Sequence, residues 1–363
     1  MGKILMSGYY GFSNAGDEAM LTAIVTALQK QDPSVEITVI SGHPQVTTEL
    51  HPGVKAIHRF NPFGILAAML RADLLLSGGG SLLQNVTSRF SLFYYLSLIG
   101  LAGLLGKRVM LFAQGIGPIH GGFCRWLTRK VCSLADLITV RDDGSLEDLS
   151  AMGMDSSNIL VTSDAVFNLP PGRPEAGRQQ LEQLGLDVRR PIIAFALRHW
   201  RGEQRFIREF AKAADDLQRQ FHAQILFLPL QFPADAELSD RVLQAMSHKS
   251  DVFILRQRCA TQTYQDIISN VQLLIGMRLH ALVFAAINDV PFMAVSYDPK
   301  VDRFVDGMKG CVVNTIDHIT SVEITAMAQR LWEADGRQGQ EEILQLRQEA
   351  ARNIARALAL LKK

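Results

Sequence analysis

Cysteine is scarce in this sequence of 363 residues. The four cysteines, Cys124, Cys132, Cys259 and Cys311, have neither CxxC spacing nor a neighbouring cluster of histidine and cysteine. Zinc sites and disulfide scaffolds need such clusters or a denser set of cysteines, so both are disfavoured. We therefore expect a cytoplasmic protein that binds no metal.

An excess of charge of one sign is also absent. Lysine and arginine number 37, and aspartate and glutamate number 36. Proteins that bind nucleic acid usually carry a basic surface, so this balance argues against a nucleic-acid partner. Any site for an anion must then be local.

Long apolar runs are missing as well. The longest apolar tract, residues 90–106, includes two serines and three glycines, whereas a transmembrane helix needs roughly 20 apolar residues. Two interpretations remain open: a buried helix of an α/β domain, or an apolar face that ends at Lys107 and Arg108, lies on a membrane surface and meets a lipid-linked substrate. At the N-terminus, Met1-Gly2-Lys3 leads straight into an apolar strand, which predicts no signal peptide.

The sequence is rich in strand-like segments that alternate with helical patterns, which is typical of parallel sheets with crossover helices. In the first half, strands are predicted at residues 3–7, 36–41, 56–59, 73–77, 108–113 and 137–140. In the second half, they are predicted at residues 191–197, 224–228, 252–255, 273–276 and 292–296. The fold class is therefore α/β, with two Rossmann-like doubly wound domains that face each other across a cleft.

Domain boundaries follow from composition. Residues 168–174 contain three prolines and a glycine, which interrupt both helices and strands. We predict an N-terminal domain at 1–169, a linker and first helix at 170–190, and a C-terminal domain at 191–337. Residues 338–363 are predicted to form a C-terminal helix that packs back on the N-terminal domain.

The run Gly276-Met277-Arg278-Leu279-His280 lies between a predicted strand and an apolar helix. Phosphate and carboxylate groups bind well there, because the helix N-terminus offers free N–H groups at the carboxyl edge of the sheet. Arg198 and Lys300 follow two other strands at the same edge. Three fixed cations around His280 suit a ligand that carries both a phosphate and a carboxylate.

Glycine-rich loops follow the strands of the first half. The loop at residues 8–18 contains Tyr10, Phe12, Asn14 and Asp17, and its interpretations are a hydroxyl-rich acceptor site, ribose-phosphate binding or helix capping. Gly79 and Gln114 stand in loops that either leave space for a ligand or form tight turns. Arg141 either reaches the anion site or forms a salt bridge with Asp142 or Asp143.

Together these segments resemble the polysaccharide pyruvyl transferase family, and its CsaB-type bacterial members most closely. The residues that carry the resemblance are the Gly-x-x-Asn-x-Gly-Asp-Glu motif at 11–18, the glycine run at 77–81, residues 114–118, Arg141-Asp142, residues 276–280, Pro291 and residues 297–300. The resemblance implies a GT-B-like pair of domains, phosphoenolpyruvate (PEP) as co-substrate without a further cofactor, and a cell-wall sugar as acceptor. It also implies a 4,6-pyruvate ketal on N-acetylmannosamine of a lipid-linked saccharide, in a secondary cell-wall polysaccharide that anchors a surface layer. Such an enzyme is expected in the cytoplasm, at the inner face of the plasma membrane.

Residue roles follow from the resemblance and from charge. Arg278 and His280 are expected to bind or activate PEP, with His280 as the proton donor and Asp17 as the base for the attacking hydroxyl. Further PEP-binding candidates are Arg141 in the N-terminal domain, and Arg198 and Lys300 in the C-terminal domain. The acceptor candidates, on the N-terminal side, are Tyr10, Phe12, Asn14, Asp17, Gly79 and Gln114.

Two alternatives remain. A GT-B glycosyltransferase with a nucleotide-sugar donor shares the helix-turn-strand at residues 285–292, but many such enzymes hold the ribose with a glutamate where this chain has Phe284. A sugar or anion sensor without catalysis is the second alternative. The sequence does not determine the oligomeric state.

Overall fold

The computed structural model describes residues 2–86, 88–308, 311–313, 315–334 and 339–362. The chain divides into two compact units. The first comprises Met1–Phe12, Asp17–Leu169 and Gln345–Lys363, and the second comprises Ser13–Gly16 and Pro170–Leu344. Residues 13–16, which the sequence placed in the N-terminal domain, thus group with the second unit, as does the segment 170–190.

The first unit contains a parallel sheet of seven strands. Its strands are β1 (Lys3–Ser7), β2 (Glu36–Ser41), β3 (Lys55–His58), β4 (Leu74–Gly78), β5 (Arg108–Gln114), β6 (Leu137–Val140) and β7 (Ile159–Val161). Its helices are α1 (Ala15–Gln31), α2 (Pro44–Leu50), α3 (Pro62–Arg71), α4 (Arg89–Leu104), α5 (Gly122–Cys132) and α6 (Asp143–Ala151), with 3-10 turns at Ser156–Asn158 and Ala165–Asn168. The strand order is β3-β2-β1-β4-β5-β6-β7. The direction of winding therefore reverses between β1 and β4.

Helices α3, α4 and α5 pack on one face of this sheet. Their inward side chains, such as Met69, Leu96 and Cys132, share one core with Leu75 and Leu111 of the central strands. Burial of this apolar surface is the main stabilising contribution to the unit.

The second unit contains a parallel sheet of six strands. Its strands are β8 (Ile192–Ala196), β9 (Gln224–Phe227), β10 (Val252–Ile254), β11 (Leu273–Gly276), β12 (Phe292–Val295) and β13 (Cys311–Val313). Its helices are α7 (Pro174–Gln183), α8 (Glu203–Phe221), α9 (Ala234–Ala245), α10 (Thr261–Ile268), α11 (Leu279–Ile287), α12 (Pro299–Asp306) and α13 (Ser321–Glu333). The strand order is β10-β9-β8-β11-β12-β13, so the winding reverses between β8 and β11.

The last helix, α14 (Gln340–Lys362), lies mostly in the first unit. The buried Asn353 donates from Nδ2 to Thr162 Oγ1 at 2.8 Å, and Ser163 Oγ donates to the carbonyl of Leu346 at 2.5 Å. These bonds, with the burial of Ile354, attach the helix next to β7.

The predicted α/β class with parallel sheets is confirmed. The predicted strands coincide with observed ones to within one residue at each end. Strands β7 and β13 were not predicted. Each has only three residues and lies at the edge of its sheet, as does β10, which the sequence did predict. Among the described residues, no helix is both long enough and apolar enough to span a bilayer.

Candidate functional site

Arg198 and Arg278 lie at the point where the winding of the second sheet reverses. Strands β8 and β11 are neighbours with Ala196 opposite Gly276, and the two arginines stand two residues beyond this pair. Because the strands are parallel, both loops emerge at the carboxyl edge. In open α/β sheets, this is where ligands bind.

The guanidinium of Arg278 is held by Asp235, the second residue of α9. Arg278 donates from Nε to Oδ2 at 2.9 Å and from Nη2 to Oδ1 at 2.5 Å, with side-chain exposures of 12% and 1%. Asp235 Oδ2 also accepts the backbone N–H of Gln231 at 2.9 Å, and Gln231 Oε1 accepts from Arg278 Nη2 at 3.1 Å. These bonds fix the orientation of the Arg278 guanidinium and connect it to the loop after β9.

Asp235 was not found by sequence reasoning. It lies 43 positions before Arg278 and belongs to no motif, so no local signal connects the two residues. Only the folded chain brings this carboxylate to the carboxyl edge of β11.

Tyr297, in the loop after β12, holds two of the predicted cations. The Arg198 guanidinium lies over its ring at 4.4 Å, and Arg198 Nη1 donates to the Tyr297 hydroxyl at 2.6 Å. Lys300 Nζ lies 5.7 Å from the ring centroid and 3.2 Å from Asp298 Oδ2. The loops after β8 and β12 are thus connected through one aromatic ring.

The cationic cluster is less positive than the sequence indicated. Arg278 is paired with Asp235, and Lys300 is paired with Asp298. Within the described part of the chain, Arg198 has no ion pair, and its buried Nε has no hydrogen-bond partner. Arg198 is accordingly the cation best prepared to accept an anionic group.

His280, in the first turn of α11, contacts the segment 13–16. A Cβ placed on Gly16 would lie only 2.1 Å from His280 Nδ1. This segment is joined to the loop after β9, because Ala15 N donates to the Leu230 carbonyl at 2.8 Å and Asn14 forms an antiparallel bridge with Gln231. The predicted Asn14 and His280 are therefore brought to one place in the second unit.

Asn14 also caps the N-terminus of helix α1. Its Oδ1 accepts the backbone N–H of Gly16 at 3.0 Å. Capping was one of the interpretations left open by the sequence, and the structure shows a local bond of this kind.

Two of the predicted acceptor residues, Tyr10 and Gln114, are buried in the first unit. Tyr10 is completely buried, and its hydroxyl donates to the Gly78 carbonyl at 3.1 Å. Burial, with a smaller effect of Asp17, raises the pKa of Tyr10 well above its ordinary value. Gln114 is also completely buried, and its Nε2 donates to Ser77 at 3.0 Å. Neither side chain is accessible to a sugar in this structure, since both are completely buried.

The glycine run after β4 is explained by packing. Gly79 has a φ of +54°, and a Cβ there would lie 2.7 Å from Met20 Sδ on α1. A Cβ on Gly80 would approach Asp17 Oδ1 to 3.2 Å. A side chain at either position would crowd the Met20 or Asp17 side chain of α1, and the positive φ of both residues, +54° and +76°, favours glycine whether or not a ligand binds.

Phe12 belongs to an aromatic group around Arg59. Its ring is stacked on Tyr9 with centroids 4.3 Å apart, and the Arg59 guanidinium lies 5.1 Å from the Phe12 ring. Arg59 also lies 4.5 Å from the ring of Tyr94. Phe12 is thus positioned by cation–π and stacking contacts at the end of the β1 loop.

Glu18 follows Asp17 at the end of the motif at 11–18, and the sequence analysis assigned it no role at the site. Burial raises the pKa of Glu18 to about 7, although it accepts the backbone N–H of Gly11 at 2.7 Å. Burial and the nearby Asp17 also raise the pKa of Tyr9. A carboxyl group with a pKa near neutrality can exchange protons at physiological pH.

Arg141 is tied into the first unit. Its side chain is 6% exposed, Nη1 donates to Asp164 Oδ2 at 3.0 Å, and Nη2 donates to Ser81 Oγ at 3.0 Å. Asp142 lies farther away, at 3.6 Å from Nε. The salt-bridge interpretation thus applies, but with Asp164 as the closer partner. Arg141 holds the glycine run against the end of β6.

No group of three or more histidine, cysteine, aspartate or glutamate side chains is arranged to hold a metal ion in the described ranges.

The sequence profile of the polysaccharide pyruvyl transferase family matches residues 14–299. The chain belongs to this family. The match begins at Asn14 and ends at Pro299, so it includes the contact of Gly16 with His280 and both arginines at the reversal of the second sheet. No curated protein sequence matches the chain significantly.

Solved structures show the fold of this pyruvyl transferase to be of the GT-B type. A UDP-GlcNAc 2-epimerase from Methanocaldococcus jannaschii superposes with a TM-score of 0.69 at 12% identity, over 98% of this chain and 99% of the other. The UDP-GlcNAc 2-epimerase from Neisseria meningitidis gives 0.64 at 12% identity, over 98% and 99%. Anabaena Alr3699/HepE gives 0.63 at 13% identity, over 100% and 98%. At these identities, the likeness concerns the fold alone.

Proposed function

We propose that this pyruvyl transferase moves the enolpyruvyl group of PEP onto two hydroxyls of a sugar, forming a 4,6-pyruvate ketal and releasing phosphate. The proposed acceptor is N-acetylmannosamine of a lipid-linked cell-wall saccharide, as in the CsaB-type members that the sequence resembles. The observation that carries the proposal is Arg198 beside Arg278 and His280 at the reversal of the second sheet, inside the family match. PEP combines a phosphate and a carboxylate on three carbons, which suits neighbouring guanidinium groups.

The reaction requires an acid, a base and a stabilised leaving group. A proton is added to C3 of PEP, a sugar hydroxyl attacks C2, and the C2–O bond to phosphate breaks with its electron pair leaving on phosphate. The second hydroxyl then adds to C2 and loses its proton. We assign the C3 proton to His280 and the first hydroxyl proton to Asp17, while Arg198, Arg278 and Lys300 neutralise the phosphate.

The second unit supports this assignment through preorganisation. Asp235 and Gln231 orient Arg278, Tyr297 orients Arg198, and Gly16 leaves the space that the imidazole of His280 occupies. Fixed cations that need no rearrangement stabilise developing charge more than mobile ones. No further cofactor is required by this chemistry.

The test is incubation with PEP and an N-acetylmannosamine-containing saccharide. We expect phosphate release that depends on both compounds, and an acceptor whose mass increases by one pyruvic acid less one water. Phosphate release without an acceptor, or a mass gain equal to a sugar residue, would contradict ketal formation.

A nucleotide-sugar glycosyltransferase is the second candidate, because structures of the same fold are complexes with UDP-glucose or UDP-GlcNAc. In this chain, Phe284 is completely buried and stacked near Tyr264, with ring centroids 6.5 Å apart. A ribose-binding carboxylate is therefore replaced by a core residue. Thermal stabilisation by UDP-sugars, with none by PEP, would favour this second candidate. Stabilisation by PEP without turnover of any acceptor would favour a sensor.

A further inference from the structure

Most of the exposed large apolar side chains belong to the first unit. Large hydrophobic residues exposed in the segment 50–135 are Leu50, Phe60, Phe63, Leu66, Leu70, Val86, Phe90, Leu104, Phe123, Trp126 and Leu134. In the described part of the second unit, the corresponding residues are Val322 and Leu344. An apolar set of this size is unusual on a soluble surface and marks an interaction site.

The three helices α3, α4 and α5 carry most of this set. All three pack on the same face of the first sheet through the shared core around Leu75 and Leu111. Their outer sides therefore form one layer, which we name the outer helix face: Phe63, Leu66 and Leu70 of α3, Phe90 and Leu104 of α4, and Phe123 and Trp126 of α5. Phe93 of α4 lies 6.4 Å from Phe123 of α5, and Phe123 is stacked on Trp126, so the apolar surface continues from one helix to the next.

After its first residue, Arg89, helix α4 exposes no charged residue. Between Arg89 and Lys107 the sequence has no charged residue, and the exposed positions of α4 after Arg89 are Phe90, Ser97 and Leu104, spaced seven residues apart. Phe90 and Leu104 are 86% and 85% exposed. By contrast, α8 of the second unit exposes only polar residues, among them Arg208 and Lys212. A helix whose outer side faces water normally exposes polar and charged residues, as α8 does.

Basic residues surround the outer helix face. Residues 51–135 contain nine lysines and arginines and one acidic residue, Asp73, whereas the whole chain is balanced. Arg71 ends α3, Arg89 begins α4, and Lys130 lies one turn beyond Trp126 on α5. The Nζ of Lys107 reaches the carbonyl of Leu70 at 2.7 Å, between α3 and the start of β5. Positive charge therefore lies beside each apolar helix.

We propose that the outer helix face docks on an anionic lipid bilayer, with α3, α4 and α5 lying in the plane of the interface. Apolar side chains enter the boundary between headgroups and acyl chains, while the flanking lysines and arginines contact acidic headgroups. Trp126 suits this depth, because its indole has both an apolar ring and a donor N–H. A symmetric contact with a second copy is disfavoured, because it would place the same basic groups opposite each other.

Co-sedimentation with vesicles tests the proposal without any substrate, so its result is independent of pyruvyl transfer. We expect the protein to bind phosphatidylcholine vesicles that contain phosphatidylglycerol, and to bind phosphatidylcholine alone more weakly. High salt should weaken binding to the anionic vesicles, because exposed charges are screened. No sedimentation with the anionic vesicles would overturn the proposal.

Variants locate the surface. The triple change Phe63→Ser, Phe90→Ser and Phe123→Ser should lower the vesicle partition coefficient roughly tenfold or more, and these side chains are 83%, 86% and 64% exposed, so little core packing is lost. The matched control is Val322→Ser with Leu344→Ser, which are 75% and 59% exposed and should bind as the parent does. Thermal unfolding verifies that both variants fold.

Charge is tested separately. Arg89→Gln with Lys130→Gln should reduce binding to anionic vesicles and leave binding to phosphatidylcholine unchanged, whereas Lys212→Gln with Lys249→Gln should change neither. Equal binding by the triple variant and its control would contradict docking through this face. Analytical ultracentrifugation tests the remaining alternative, a dimer. If the protein does not bind vesicles but forms a dimer that the triple variant abolishes, the outer helix face contacts a second copy and the proposal is wrong.

Discussion

The imidazole of His280 occupies the space that a side chain on Gly16 would need, with a hypothetical Cβ only 2.1 Å from Nδ1. Two motifs separated by more than 260 positions are therefore in direct contact in the second unit. This explains why the second residue of α1, Gly16, is a glycine, since its helical backbone imposes no such requirement.

The contact predicts the effect of Gly16→Ala. Alanine favours helix α1 intrinsically, but the added methyl group must displace the imidazole, so turnover should fall on the order of a hundredfold, as in His280→Ala. The PEP concentration for half-maximal rate should change little in both variants. Steady-state kinetics measure this.

The matched control is Gly122→Ala, at the first residue of α5, where a Cβ would meet no atom within 4 Å. It should leave turnover unchanged. Near-normal turnover of His280→Ala would remove that residue from the chemical step.

The ion pair of Arg278 with Asp235 predicts a loss of stability in Asp235→Ala. Breaking a buried pair leaves an uncompensated charge, which costs about 3–5 kcal/mol of unfolding free energy. Asp240→Ala, on the same helix, removes the exposed pair with Arg256 and should cost about 0–1 kcal/mol. Urea unfolding of the two variants measures the difference.

Asp235 variants also report on the anion site. If Arg278 binds PEP in the orientation that Asp235 sets, Asp235→Asn should raise the KM for PEP, as should Arg278→Ala. An unchanged KM in both variants would remove Arg278 from the donor site.

Tyr297 is expected to position Arg198 and Lys300 without touching the reacting atoms. Tyr297→Phe keeps the ring beneath the guanidinium but removes the hydroxyl that accepts from Arg198 Nη1, so the KM for PEP should rise by a few fold, consistent with about 1 kcal/mol for one hydrogen bond. Tyr297→Leu removes both contacts and should raise it further. Equal KM values for Leu and Phe would show that the ring does not position the cations.

Asp17 is tested through the pH dependence of the rate. If it accepts the proton of the attacking hydroxyl, Asp17→Asn should lower turnover and abolish the acidic limb of the kcat profile. Asp143→Asn, in the first turn of α6, changes a comparable helix-start carboxylate and should have no effect. An unaltered profile in Asp17→Asn would exclude the base role.

Glu18 predicts a pH dependence of stability. Its pKa in the folded chain is about 7, above the ordinary value of 4.5, so the folded state binds the proton more tightly than the unfolded state. The stabilising effect of that proton is complete below pH 4.5 and is lost as the pH rises to about 7.

Glu18→Gln should therefore be more stable than the parent above neutral pH, and the difference should vanish below the ordinary glutamate pKa. His51, whose pKa burial lowers to about 4, is present in both proteins, so its opposite effect cancels in the comparison. Unfolding free energies measured across this range verify the sign. A constant difference between the two proteins would contradict the raised pKa.

Much of the fold was readable from local patterns. Apolar segments such as residues 273–276 and the proline-rich break after Asn168 depend on neighbouring residues alone, so the parallel α/β class and most strand positions could be predicted. The location of Arg198, Arg278 and His280 after strands followed from the same patterns, and so did their common edge of the sheet.

What each of these side chains contacts was decided by the tertiary structure. Three of these contacts join residues that are far apart in the chain: Asp235 with Arg278, Asp164 with Arg141, and Gly16 with His280. A local sequence pattern cannot predict such pairs. The buried bonds of Tyr10 to Gly78 and of Gln114 to Ser77 likewise join segments that are far apart in the chain. Local interactions in the sequence determined the helices and strands and their order. The ion pairs, the accessibility of side chains and the apolar outer helix face were decided only by tertiary structure, because residues pack by shape and charge whatever their separation along the chain.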